Sequence, residues 1–225
     1  MDKKFSVKKL ILSLFALLFA GVSPNLLVAA QAGYAQLSTL IVRVLFPAIF
    51  LLGAVLWVAA KKGESVLFKT IWVGAVAGMV GTVGLEIVRE AGFLLGGMPG
   101  EMPKLMGGMI LNRFALGPNW ASNLAGWAYH FWNGASFGMV LAVLFGHVKW
   151  GYGILFALFI AAGFMAGPAT VALGVGRFGV DFGWGFPATV TLAHVAFGAI
   201  FGIFTKRWLP DESGIFHQAV LWFKR

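Results

Sequence analysis

TIWVGAVAGMVGTVGLEIVREAGFLL, residues 70 to 95, is the stretch that decides the fold. From Thr70 to Leu85 it carries no charge, and Lys69 stands immediately before it. It has no proline and exceeds the ~20 residues that a helix needs to cross a hydrocarbon core. Gly74 and Gly78 are spaced i, i+4, as are Glu86 and Glu90, so each pair shares a helix face. Glu86, Arg89 and Glu90 close the run. Ionisable groups at membrane depth are costly, and their position is a functional lead.

Five more apolar segments flank this one, at about Leu10–Ala30, Leu37–Ala60, Ala121–Phe145, Tyr152–Leu173 and Pro187–Phe204. The pattern predicts an all-α polytopic transmembrane bundle of six spans. The composition agrees. Of 225 residues 60% are hydrophobic and 11% charged, against about 25% charged in soluble domains. The 31 glycines suit close helix contact in lipid. No cysteine is present, which excludes disulfides, thiolate metal sites and covalent c-type haem. The net charge of +9 does not point to nucleic acid, because the basic residues gather at the ends of apolar runs.

Those basic residues set an orientation. With the N-terminus inside, Lys3, Lys4, Lys8, Lys9, Lys61, Lys62, Lys69, Lys149, Lys206, Arg207, Lys224 and Arg225 are cytoplasmic. Arg43, Arg89, Lys104, Arg113 and Arg177 fall in the spans or outside. The positive-inside rule then places a multi-pass chain in a bacterial cytoplasmic (inner) membrane with its C-terminus in the cytoplasm. Residues 1–32 admit two readings, a first span or a signal peptide ending at Ala30-Gln31-Ala32, which would leave five spans. Residues 33–208 form the bundle, and 209–225 an amphipathic cytoplasmic tail. Between spans, Lys104 to Phe114 is expected as a short interfacial helix, and Gly174 to Phe186 as a tight cap.

The most specific motif occurs twice. His130, Gly134, Phe137 and Gly138 spell H-x3-G-x2-F-G, and His194, Gly198, Phe201 and Gly202 repeat it 64 positions later. At ~1.5 Å per residue the histidines lie about 14 and 10 Å below the outer ends of their spans, near the level of Glu86. Three readings stay open. In the first, Gly134, Gly138, Gly198 and Gly202, like Gly74 and Gly78, are small-xxx-small packing sites of a duplicated helix unit, and each histidine makes one hydrogen bond. In the second, the histidines and Glu86 line a path for a small solute or ion. In the third, His130 and His194 hold a haem b iron, or Glu86, Glu90, His130 and His194 hold a transition metal. No cofactor is the first expectation, with haem b or a metal as the alternative.

Soluble-enzyme signatures such as G-x-S-x-G, a P-loop or H-E-x-x-H do not occur. Glu86 and Arg89 are expected to pair with each other or with Arg113, and His147 to be a solvated loop histidine. Trp127-x2-His130-x3-Gly134-x2-Phe137-Gly138, the Met102-Pro103-Lys104-Leu105-Met106-Gly107 run and Leu192-Ala193-His194-x3-Gly198 carry a resemblance. Over about residues 70 to 205 the chain resembles a family of small multi-spanning bacterial inner-membrane proteins to which no chemistry is assigned. The resemblance implies a topology and no catalytic residues. The expected partners are the lipid bilayer and other membrane subunits or further copies of the chain. The functional expectation is a non-enzymatic membrane protein, transporter-like or an accessory subunit, with a haem- or metal-binding redox protein as the alternative.

Overall fold

The computed structural model describes residues 7–211 and 213–217, and among them there are helices and no strands. The helices are α1 (Val7–Gln31), α2 (Leu37–Lys61), α3 (Ser65–Leu94), α4 (Met102–Ile110), α5 (Trp120–Phe145), α6 (Trp150–Ala166), α7 (Pro168–Ala172) and α8 (Gly185–Trp208). A short 3₁₀ segment, Arg177–Phe182, lies between α7 and α8.

Among the described residues four helices, α1, α2, α3 and α8, are long and apolar enough to cross a membrane. Length and hydropathy together therefore mark four of the six apolar segments as spans. Helix α5 has the length, with 26 residues, but Asn123, His130 and Asn133 dilute its hydropathy. Helix α6 has 17 residues, about 26 Å at ~1.5 Å per residue, and stops short of Leu173 where the apolar run ends. The break is chemical. Pro168 has no N–H and crowds the residue before it, so Gly167 turns extended at φ −79°, ψ −179°. Thr170 Oγ1 donates to the Met165 and Gly167 carbonyls at 3.0 and 3.3 Å, occupying acceptors that the interruption frees.

Helix α2 handles its own proline without stopping. Ile41–Leu45 widens to a π turn, and the Phe46 N–H reaches back to the Ile41 carbonyl just before Pro47. Helix α4 starts at Met102 with Pro103 in its first turn. It ends at Ile110, before the expected Phe114, and packs against the bundle. Met102 and Met106 bury into a cluster with Leu26, Leu37 and Tyr129, and Gly107 meets the start of α5. An added Cβ at Gly107 would strike the Ser122 carbonyl, and one at Gly126 the Pro103 carbonyl. Asn119 and Ser122 cap α5 reciprocally, each backbone N–H donating to the other's side chain at 2.8 Å.

Helix α3 is the centre of the bundle, packed between α5 and α8. Helix α6 lies on the far side of α8, and α1 covers α5 with α2 outside it. The crossings are antiparallel where α3 meets α5 and α8, so Lys69, Lys149, Lys206 and Arg207 collect at one end. Lys8 joins that end by bonding to Glu64 and to the Lys62 carbonyl. After α8 the chain folds back onto the α5–α6 turn. Gly146, at φ +68°, has Gly214 pressed against it, and Phe145 packs on Phe216 at 5.2 Å. His147, in this loop and partly exposed, has Nδ1 3.0 Å from Asp211 Oδ1. Ile215 to His217 are helical, and the rest of the expected tail helix, residues 218–225, lies outside the described residues.

Large apolar side chains cover the outside. Phe46, Phe50, Trp57, Trp72, Ile87, Leu155, Phe159 and Leu192 are among the exposed ones. An aqueous protein of this size rarely presents so broad an apolar surface, whereas a bilayer solvates it.

Candidate functional site

Two stripes of α5 divide its polar residues. Tyr129 and Asn133, four apart, turn to α1. The Tyr129 hydroxyl donates to the Ser23 carbonyl at 2.8 Å, and Ser23 Oγ donates to Asn133 Oδ1 at 2.7 Å. His130 and Gly134, one position round the helix, turn to α3. Facing them on α3 is a stripe of Gly74, Gly78, Thr82, Glu86 and Arg89.

The lower part of this seam is closed by glycine. A Cβ at Gly78 would meet the Gly134 carbonyl, and a Cβ at Gly138 the Gly74 carbonyl. Backbones this close fix the register of the two helices. They carry His130 level with Glu86, where His130 Nε2 donates to Glu86 Oε1 at 2.8 Å. Arg89 closes the other side, its Nε 2.8 Å from Glu86 Oε1 and its Nη2 bonded to Oε2. The carboxylate thus accepts a two-pronged guanidinium and an imidazole N–H, a strong charge-assisted arrangement. Glu86 is 8% exposed and Arg89 4%. With His130 neutral the three groups sum to zero charge, which keeps their burial tolerable. Arg89 pairs with Glu86, whereas Arg113 turns away to the Gly117 carbonyl at 3.2 Å.

The third wall is α8. Gly81, Gly84 and Gly92 of α3 abut Phe197, Ile200 and Thr189. That register puts His194 near the level of Glu86. His194 does not bond to the triad. Its Nδ1 donates to the Val190 carbonyl one turn back at 2.8 Å, so the neutral ring keeps Nε2 as an acceptor.

The four residues read as a metal set do not converge. Glu90 is exposed, Glu86 is held by Arg89 and His130, and His194 is turned to its own helix. Among the described residues no three His, Cys, Asp or Glu side chains come together as metal ligands. The two copies of the histidine motif also meet different partners. Gly134 and Gly138 press on α3, while Gly198 and Gly202 press on Gly153 and Trp150 of α6. Phe137 and Phe201 do share one apolar cluster.

The Ser23–Asn133–Tyr129 network escaped sequence reasoning. Its signal was Ser23-Pro24-Asn25 inside an apolar run, but nothing local names a partner 106 to 110 positions away. One further polar atom stands out. Arg89 Nη1 is buried with no hydrogen-bond partner in the protein, a condition that costs about 1–3 kcal/mol or more for a charged group.

Comparison with protein-family models, with curated proteins and with solved structures found no match to this chain.

Proposed function

We propose that the chain is a six-crossing bacterial inner-membrane protein of the small-solute transporter type, with Glu86, Arg89 and His130 as its ionisable centre. Helices α5 and α6 complete the six, because each packs along a helix apolar enough to cross. The end that carries Lys69, Lys149, Lys206 and Arg207 faces the cytoplasm under the positive-inside rule. The triad then sits in the outer half, about 12 Å from the Leu94 end of α3 at ~1.5 Å per residue.

The observation that carries this reading is the closure of a carboxylate, a guanidinium and an imidazole on one another where three helices meet. Charges are retained at such depth chiefly along substrate or proton paths. A proton carried by His130 would turn a neutral cluster positive. Arg89 Nη1 supplies a donor that the protein leaves unused. The test is flux in reconstituted vesicles. With a pH gradient imposed and a pH-sensitive dye inside, monovalent cations, amino acids and sugars are added in turn. At least one is expected to change the rate of gradient collapse several-fold over empty vesicles. The effect should vanish in Glu86→Gln and His130→Ala. No response to any solute, or full response in both variants, overturns the reading.

One feature favours the accessory-subunit reading instead. Val42, Phe46, Phe50 and Trp57 form an exposed stripe along α2, broad enough for a neighbouring subunit or second copy. A photo-crosslinker at Phe50 that captures one discrete membrane partner, with no solute flux, would select it. The redox alternative requires His130 to release Glu86. A Soret band that disappears in His130→Ala and His194→Ala would establish it.

A further inference from the structure

We propose that the groove between the start of α6 and the end of α8 binds the phosphate headgroup of an anionic phospholipid. The groove is a cavity of about 350 Å³ lined by Trp150, Ile203, Lys206 and Arg207. Beside it the two helix ends lie in contact, since a Cβ at Gly202 would strike the Trp150 Cα. Lys206 and Arg207 are exposed, and no ion pair among the described residues engages either one. Asp211, the next acid among the described residues, lies against His147 Nδ1 at 3.0 Å. The groove therefore presents two exposed cations beside an indole, the composition that suits a phosphodiester at the interfacial level.

The surface leading away from the groove suits the rest of a lipid. Ile203, in the groove wall, and Leu192 are exposed on α8 eleven residues apart. Eleven residues are about three turns, so the two share one face of α8, running from the groove into the apolar zone. A free phosphate would use the cations alone. A phospholipid would use both the cations and this apolar track, which is why a lipid is the occupant.

The inference rests on the chain spanning a membrane, and the two can fail separately. Retention of the protein in carbonate-washed membranes tests the span. Lipid choice tests the groove. Full-length protein is stripped of lipid in neutral detergent and exposed to phosphatidylglycerol or phosphatidylcholine vesicles, and bound lipid is counted by native mass spectrometry. Phosphatidylglycerol should be retained preferentially. The Lys206→Gln/Arg207→Gln variant should lose about 30-fold of that affinity, from two cations near the headgroup plane. The Lys61→Gln/Lys62→Gln variant removes equal charge from the same end, off the groove, and should retain the lipid. Equal binding of both lipids, or equal loss in the two variants, overturns the proposal. Displacement of phosphatidylglycerol by equimolar inorganic phosphate overturns it too, since the ligand would then be the free anion.

Discussion

Glu86 has two partners of different origin, and the difference governs what its loss would do. Arg89 comes from the same helix, three residues on, and His130 from across the seam. Removing the carboxylate in Glu86→Ala leaves a guanidinium buried without a counter-charge. The expected loss is about 3–5 kcal/mol, read as unfolding in mixed detergent–SDS micelles. Replacing both members, Glu86→Leu with Arg89→Leu, removes the uncompensated charge and should recover most of that loss. A double variant as unstable as the single one would show that the pair is not what the bundle needs there. Ser23 is a milder case. Ser23→Ala removes a hydrogen bond between α1 and α5, and interhelical bonds in lipid are worth about 0.5–2 kcal/mol. Within the same residues lies the limit of what could be foreseen. The pairing of Glu86 with Arg89 follows from i, i+3 spacing on one helix. The bond to His130 depends on a register between helices, and span boundaries uncertain by several residues leave depth uncertain by about 5 Å or more.

At the scale of the helix pair, that register is set by glycine. Gly78→Ala would drive a methyl group into the Gly134 carbonyl. The two backbones must separate, at an expected cost of about 1–3 kcal/mol in the same assay. Gly21 in α1 has open space where a Cβ would go. Gly21→Ala should be neutral or stabilise by about 0.4–1 kcal/mol. Equal effects at the two sites would mean that glycine serves flexibility and not approach. Which glycines face which helix was only partly legible. The i, i+4 spacing marks a face on each helix, yet Gly198 and Gly202 meet α6 while Gly134 and Gly138 meet α3. A repeated motif cannot say which of two neighbours it will touch. The break after Ala166 was written in the chain as Gly167-Pro168. Hydropathy stays high across that step, and it masked the backbone chemistry that ends the helix.

For the whole molecule, the all-helical architecture was legible because a 60% hydrophobic chain has few other ways to satisfy its backbone. The number of crossings was less so, since α5 is dilute in apolar residues and α6 is short. Topology can be tested directly because no native cysteine interferes. Single cysteines at Gly63 and Asp211 should react with a membrane-impermeant maleimide only after the cells are opened. Cysteines at Gly100 and Leu116 should react in intact spheroplasts. Labelling of Gly63 and Gly100 from the same side would refute an odd crossing by α3. The central place of α3 also bears on how the protein is made. This helix leaves the ribosome before α5 and α8 exist, so it meets the insertion machinery without His130 or either packing partner. Glu86 and Arg89 sit one turn apart on it and can neutralise each other as soon as that turn forms. The buried charge is thus delivered to the bilayer as a self-cancelling dipole, and a late-arriving helix has only to dock on it.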